Sequence, residues 1–304
     1  MKRPLIAIAG PTGSGKSELA IRLALTAGGE IVNYDSVQIY RGFDIGSAKP
    51  SREQIGLVPH HLLDVLDADV EFNAADYERL ARQTCEAIEA RGRRPVLAGG
   101  TFFYLRALLH GLPAMPGRDD TIRTRLHAVA SRPRGPAWLH RWLSRVDPVS
   151  GARIARADRH RVERALEVWI SSGRPISSWE RGVGKELPSL KIALTLPRDA
   201  LVTSLDARVD AMFRAGLVDE TRALLERFPE TARPFGAIGY REAAAVVGGR
   251  MSERQAIEEA KRRTRAYAKR QVTWLRAERN VHWVEASDKD HAFEAALRLI
   301  EVES

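Results

Sequence analysis

Eight consecutive residues, Gly10-Pro11-Thr12-Gly13-Ser14-Gly15-Lys16-Ser17, have the spacing of a loop that wraps a polyphosphate. Glycines let the backbone curl until successive N–H groups face inward, and a helix starting at the loop's end adds positive potential there. Lys16 supplies a point charge for the terminal phosphate, and the Ser17 hydroxyl suits a Mg²⁺ ligand. The pattern predicts a bound di- or triphosphate.

Two neighbouring strings narrow the chemistry. Nucleotide hydrolases of the motor type end an apolar strand in an Asp that holds the metal. The matching run here, Pro95 to Ala98, ends in Gly99-Gly100-Thr101. That argues against a motor ATPase and leaves a small-molecule kinase of the shikimate or gluconate type as an alternative. The second string is Asp35-Ser36-Val37-Gln38-Ile39-Tyr40, just beyond a short apolar run. Ligands of open α/β sheets bind outside the carboxyl ends of the strands, so Asp35 is expected near the phosphate loop with Ser36 and Gln38 beside it. An Asp in that position serves as a metal ligand, a general base or an N-cap.

The elements that must position these residues follow from periodicity. Residues 4–9 read as a strand and Lys16 to about Ala27 as a helix with Leu19, Ala20, Leu23 and Ala24 on one face. Glu30–Asn33 reads as a second strand, residues 42–58 as loop, and Asn73 to Ala90 as a helix capped by Asn73, with Gly92 past its end. With Pro95–Ala98 as the next strand, the order is that of a parallel sheet with helices on both faces. From about 113 to 188 the chain has no convincing strand, several prolines and abundant Arg and Trp. It reads as a helical insertion. Residues 190–196 restore a strand, the rest is mostly helical, and a last strand lies near Val281–Val284. The expected fold is α/β, a P-loop NTPase-like core (1–112 and 189–304) interrupted by a helical insertion domain (113–188).

The chain has 304 residues and a net charge of +9, with 44% apolar and 29% charged residues. A disordered or collagen-like chain is excluded. Residues 122–187 hold 14 Lys/Arg against 6 Asp/Glu, and residues 254–279 hold 9 against 3. A basic excess confined to two segments of an otherwise slightly acidic chain predicts a polyanionic partner. No apolar run reaches the roughly 18–20 residues needed to span a bilayer. Met1-Lys2-Arg3 followed by Leu5–Ala9 imitates a signal peptide, but it runs directly into the phosphate loop, so a cytoplasmic protein is expected. Cys85, the single cysteine, lies in an apolar helical pattern and is expected to be an inert core residue. His60-His61 with Asp64 is an unpromising metal cluster, because adjacent histidines point apart and no further spaced ligand follows.

Taken together these strings resemble one family, the tRNA dimethylallyltransferases (tRNA isopentenyltransferases). The resemblance runs in order through the phosphate loop, Asp35–Tyr40, Asp44-Ile45-Gly46-Ser47-Ala48-Lys49-Pro50, Pro59–Asp64 and Gly99–Tyr104. It continues through Arg164–Val168, Gly239-Tyr240-Arg241 and Lys269-Arg270-Gln271-x-Thr273-Trp274-Leu275-Arg276. Ser47 stands where the family usually has Thr. There is no zinc-finger extension of the eukaryotic kind, so the bacterial form is expected.

The resemblance implies prenyl transfer from dimethylallyl diphosphate to the exocyclic N6 of adenosine 37, next to the tRNA anticodon. It makes Asp35 the group that takes the amine proton. Lys16, the loop N–H groups and Mg²⁺ would stabilise the leaving diphosphate, with Thr12, Ser14 and Ser17 as hydroxyl contacts. Arg208 is a further candidate for the diphosphate, although its pattern better fits a surface helix arginine. By the same resemblance Asp35, Ser36, Val37 and Gln38 read the flipped base, with Thr101 and Arg123 beside it. The segment Arg159, His160, Arg161, Val162, Glu163, Arg164 and the loop Gly236, Ala237, Ile238, Gly239, Tyr240, Arg241 are expected to meet the RNA, with bases stacking on Tyr240 or on arginine planes. Arg270, Gln271, Trp274 and Arg276 share one basic helix that would grip the backbone, although Trp274, beside Leu275, is expected to face the core. A nucleotide-gated RNA-binding module without chemistry is the remaining alternative, and Asp35 beside the loop counts against it. A monomer is expected, since no exposed apolar heptad is legible.

Overall fold

The computed structural model describes residues 3–179 and 186–302. Met1 and Lys2, together with residues 180–185 of the basic insertion, lie outside the described residues.

The first half of the chain runs β1 (Leu5–Ala9), α1 (Lys16–Ala27), β2 (Gly29–Asn33), α2 (Arg52–Leu57), β3 (His60–His61), α3 (Ala74–Ala90), β4 (Arg94–Ala98) and α4 (Phe102–His110). A helical stretch follows as α5 (Asp120–Ala130), α6 (Gly135–Val146), α7 (Pro148–Arg153) and α8 (Arg159–Ser172). The chain then continues through β5 (Ser189–Thr195), α9 (Arg198–Arg214), α10 (Leu217–Leu225), α11 (Tyr240–Val247), α12 (Glu253–Arg276), β6 (Val281–Glu285) and α13 (Lys289–Val302).

The strands form one sheet in the order β3-β2-β4-β1-β5-β6, and every pairing is parallel. β1 and β4 are in register at Ile6↔Val96, and β1 and β5 at Ile8↔Ile192. All five residues of β1 are buried, as a parallel strand covered on both faces requires. Ile6, Ile8, Val96 and Ile192 pack against Leu19 and Leu23 of α1 and Ala296 and Ile300 of α13. The order β2-β4-β1 has a direct consequence. It sets the loops leaving the carboxyl ends of these three strands side by side, and those loops carry Asp35, Gly99-Gly100-Thr101 and the phosphate loop.

The start of α3 agrees with its local signal. α3 begins after Asn73, whose side chain accepts from the Ala75 and Asp76 N–H groups while Asp76 bonds back. Residues 42–58 differ from the expected loop, because α2 forms there on a Ser51–Gln54 capping box. None of its residues is buried, so it has no apolar periodicity to read. The two-residue strand β3, paired with β2 at Ile31↔His60, escaped for the same reason.

The chain divides into two compact units, Met1–Leu109 with Leu187–Ser304, and His110–Glu186. In the second, Leu126, Leu139, Leu143, Val162 and Leu166 form a separate core, and its described residues form no strand. Where the first unit is interrupted, the Leu187 N–H donates to the Leu109 carbonyl at 2.9 Å. Among the described residues no helix is long and apolar enough to cross a membrane.

Candidate active site

The loop after β1 is held from three sides. Its own turn is closed by the Ser14 N–H donating to the Pro11 carbonyl at 3.3 Å. Ser204 of α9 donates from its hydroxyl to the Gly13 carbonyl at 3.0 Å. Gln271 of α12 accepts from the Thr12 N–H at 2.7 Å through Oε1. Thr12, Gly13, Gly15, Lys16 and Ser17 line a cavity of about 390 Å³. Gly10, Pro11 and Ser14 are buried beneath it. The Ser14 hydroxyl, expected at the ligand, is instead turned into the protein, where it has no hydrogen-bond partner among the described residues. Ser14 serves the loop through its backbone.

Asp35 lines the same cavity. Its Oδ1 accepts from the Val37 N–H at 2.9 Å and the Gln38 N–H at 3.3 Å, so one oxygen does cap the following turn. The other, Oδ2, makes no hydrogen bond to a described residue and faces Gly100, where an added Cβ would stand 2.9 Å from it. Gly99 is confined too, since a Cβ there would meet the Tyr34 main chain at 2.6 Å. A strand ending in two glycines is what lets the β2 and β4 loops close on each other. Thr101 completes the junction: its Oγ1 accepts from the Ser36 N–H at 3.0 Å and donates to the Ser36 hydroxyl at 3.0 Å. Capping and an accessible carboxylate oxygen coexist in Asp35.

The electrostatics centre on two cations. Lys16 donates from Nζ to the Pro11 carbonyl at 2.7 Å. Burial, reinforced by the nearby Arg208 guanidinium and opposed by Asp35, lowers its pKa to about 7. Arg208 is no surface arginine: it lines the cavity from α9, and burial lowers its pKa against the attraction of Asp35. It makes no hydrogen bond or ion pair to a described residue, so two cations face one cavity with Asp35 as the nearby anion. A polyphosphate would relieve that arrangement, because it favours the charged form of both. For a divalent cation, the exposed Ser17 and Asp35 offer hard oxygen donors. No group of three His, Cys, Asp or Glu among the described residues could hold a metal by protein ligands alone. That set fits Mg²⁺, which keeps most of its shell from phosphate and water.

Other expected residues fall into four groups. Gln38 lines the cavity and donates from Nε2 to the Ser47 and Ala48 carbonyls at 3.1 and 3.2 Å; Ser36 and Val37 are half-buried beside it. Around residues 236–241, Gly236 and Arg241 are exposed, Ala237 and Ile238 half-buried, and Gly239 and Tyr240 buried. Stacking on Tyr240 is therefore corrected. Its ring packs edge-on against Phe43, and its hydroxyl donates to Glu220 at 2.6 Å and accepts from the Gly46 N–H at 3.1 Å. On α12, Arg270 and Arg276 are exposed, but Gln271 is buried and faces the loop, where it cannot grip an RNA backbone. Trp274 does not face the core as expected: it is 37% exposed, and Leu275 takes the buried position.

The second unit carries the remaining candidates. Arg159, His160 and Arg161 are exposed and Glu163 half-buried, whereas Val162 belongs to the unit's core and offers no side chain to a partner. Glu167, fully buried, brings Arg123 and Arg164 together: it accepts from Arg123 Nε at 3.0 Å and Arg164 Nη1 at 2.8 Å. It also accepts from the Asp119 N–H at 2.7 Å. Burial raises its pKa, and the two arginine hydrogen bonds outweigh that and leave it below the usual carboxylate range.

Sequence reasoning missed Ser204 and Tyr267. Tyr267 lines the cavity and donates its hydroxyl to the Gly100 carbonyl at 2.8 Å, which Gln271 Nε2 also reaches at 2.8 Å. The available signal was their i, i+4 spacing on one face of α12. Cys85 is buried, and burial pushes its thiol up to about 12. His60 lines the cavity and bonds the Val58 carbonyl at 2.7 Å, whereas His61 bonds Glu30 of β2 at 2.7 Å.

Comparison with known proteins adds to this geometry. The model of the IPP transferase family matches residues 38–278. A tRNA dimethylallyltransferase of Geobacter sulfurreducens is 47% identical over 279 residues, covering 90% of this chain and 89% of the relative. Among solved structures, a tRNA isopentenylpyrophosphate transferase of Bacillus halodurans is 36% identical, covers 99% of this chain and 98% of its own, and superposes with a TM-score of 0.73. A eukaryotic dimethylallyltransferase captured acting on tRNA is 27% identical, covers 95% of this chain and 75% of its own, and gives a TM-score of 0.77.

Proposed function

This chain belongs to the IPP transferase family and is a prenyltransferase acting on tRNA, and from that premise we propose how its cavity does the work. The donor is dimethylallyl diphosphate, and the acceptor is N6 of adenosine 37 beside the anticodon. The observation that carries this reading is the uncommitted Asp35 Oδ2 in the same cavity as Lys16 and Arg208.

Phosphate-loop N–H groups, Lys16 and Arg208 bind the diphosphate and leave its allylic carbon toward Asp35. An adenine amine is a weak nucleophile, since its lone pair is delocalised into the ring. As N6 bonds to that carbon, the carbon–oxygen bond breaks and both electrons leave with the diphosphate. Asp35 Oδ2 accepts the proton that N6 must lose. Negative charge grows on the departing oxygen, where Lys16 and Arg208 are already oriented. Ser17, with Asp35 nearby, would hold Mg²⁺, which when bound neutralises part of the diphosphate charge. Thr101 keeps Asp35 in place through Ser36. The exposed arginines of α8 and α12 would hold the RNA backbone, which supports the cost of extracting the base from its stack. The small-molecule kinase alternative is not favoured, since it accounts for neither the family membership nor the basic segments. The reading extends to a monomer working in the cytoplasm.

The test is incubation with Mg²⁺, dimethylallyl diphosphate and unmodified anticodon stem-loop RNA, followed by mass spectrometry of the RNA. Gain of one dimethylallyl group that requires an adenine at position 37 is the expected result. No gain, with ADP formed from ATP and a small hydroxylated substrate, would overturn it.

A further inference from the structure

Outside the cavity, two helices carry aromatic rings and guanidinium groups in alternation. On α4, Phe103 is 52% exposed and shares a face with Arg106 at i, i+3. Arg106 lies over the Trp274 ring of α12, 5.4 Å from its centroid. Trp274 shares an α12 face with Arg270 at i, i+4, and Arg270 lies 5.7 Å from the centroid of the Tyr267 ring. The strip Phe103–Arg106–Trp274–Arg270–Tyr267 therefore begins on the surface and ends inside the cavity, where Tyr267 bonds the Gly100 carbonyl beside Asp35.

Two features make this more than a solvated face. Large aromatics cost free energy when left in water, and Phe103 and Trp274 are both substantially exposed. The charge along the strip is mainly cationic: Arg106 pairs with Glu278 at 3.5 Å, while Arg270 is exposed and makes no ion pair with a described residue. Single-stranded RNA has the complementary chemistry, with flat base faces carried on a polyanionic backbone, and it is read by stacking on aromatic rings and arginine planes.

We propose that this strip is a stacking track for the unpaired nucleotides flanking the acceptor adenine, with Phe103 and Trp274 as its platforms. The proposal rests on the tRNA-modifying reading of the cavity and specifies how the acceptor strand is led to it. Stacking beside the cavity mouth compensates for the stacking that the acceptor base gives up when it leaves the loop.

The experiment measures binding of anticodon stem-loop RNA to the full-length protein, using loops with an abasic site at each nucleotide flanking the adenine. Phe103→Ala and Trp274→Ala should each weaken intact RNA about tenfold, whereas Trp274→Phe should keep most of the affinity. An abasic loop should weaken binding to the wild-type protein by a similar factor and cause little further loss in the matching alanine variant. KM for dimethylallyl diphosphate should stay unchanged throughout. If intact and abasic loops bind the wild-type protein equally while prenyl transfer proceeds, the track is refuted and the function stands. If the wild-type protein neither binds nor modifies the stem-loop, both fall. The abasic series needs no variant, so misfolding cannot obscure the result.

Discussion

The Gln271 side chain accepts the Thr12 backbone N–H at 2.7 Å, joining two residues on the first loop and the twelfth helix of the chain. Its other end donates to the Gly100 carbonyl at 2.8 Å, so one amide ties the diphosphate side of the cavity to the Asp35 side. Gln271→Ala should leave the Thr12 N–H unpaired, at a cost of about 1–3 kcal/mol measurable by urea unfolding. Gln271→Glu keeps the acceptor for Thr12 but brings a carboxylate to the loop. It should raise KM for the prenyl donor more than Gln271→Ala does, and equal KM values would exclude the electrostatic account.

Asp35 has separable tasks. Asp35→Asn keeps an oxygen to cap Val37 and Gln38 but cannot take a proton. Prenyl transfer should fall about 10²–10⁴-fold with the melting temperature close to wild type. Asp35→Ala should lose activity to the same extent and also about 1 kcal/mol of stability. Turnover retained in Asp35→Asn would remove Asp35 as the base.

Gly100→Ala tests position rather than chemistry. The added methyl would lie 2.9 Å from Asp35 Oδ2 and 3.6 Å from Gln271 Nε2, and the carboxylate must turn to avoid it. A reduced kcat is expected with RNA affinity within a few-fold. An unchanged kcat would show that Oδ2 need not point there.

Lys16 makes donor binding depend on pH in a definite direction. Its pKa of about 7 in the free cavity must rise when a diphosphate lies beside it, so binding above pH 7 takes up a proton and weakens as pH increases. Below about pH 6 the lysine is already charged and the uptake vanishes. Titration calorimetry in buffers of different ionisation enthalpy measures the proton count. Lys16→Arg should abolish the uptake, and it serves as the control for the diphosphate's own ionisation.

Glu167 should govern the acid stability of the helical unit. Its pKa is depressed in the folded protein, so its contribution is present above the unfolded carboxylate pKa and is lost as pH falls through the folded value. Glu167→Gln should cost about 1–3 kcal/mol at pH 7 and flatten the acid limb of the melting curve. An unchanged limb would assign acid sensitivity elsewhere.

What was legible in the sequence is what the chain decides locally. The helix from Lys16 to Ala27 follows from periodicity, and the Asn73 cap from residues three apart. Asp35 was legible as a site residue because strand ends are where parallel sheets bind ligands, and its capping and free oxygens were legible only as alternatives. Contacts between distant segments were beyond reach. Ser204 and Gln271 meet the phosphate loop across 191 and 259 residues of chain, and no spacing rule connects them. The surroundings of Arg208 and Tyr240 were illegible for the same reason: the local pattern of each suits the surface, and what covers each comes from another part of the chain.

The break in the first unit also bears on how the molecule is made. β5 lies beside β1 in the sheet, yet the main chain departs at Leu109 and regains the core only at Leu187. Domains emerge and fold from the N-terminus during synthesis, so the half-sheet β1, β2, β3 and β4 must wait while the helical unit is translated. Helices with mostly local contacts fold fast, and once folded they reduce the excursion to the short span between their own ends. The phosphate loop is thus among the first segments to leave the ribosome and among the last to be secured, since Ser204 and Gln271 arrive with the closing third of the chain.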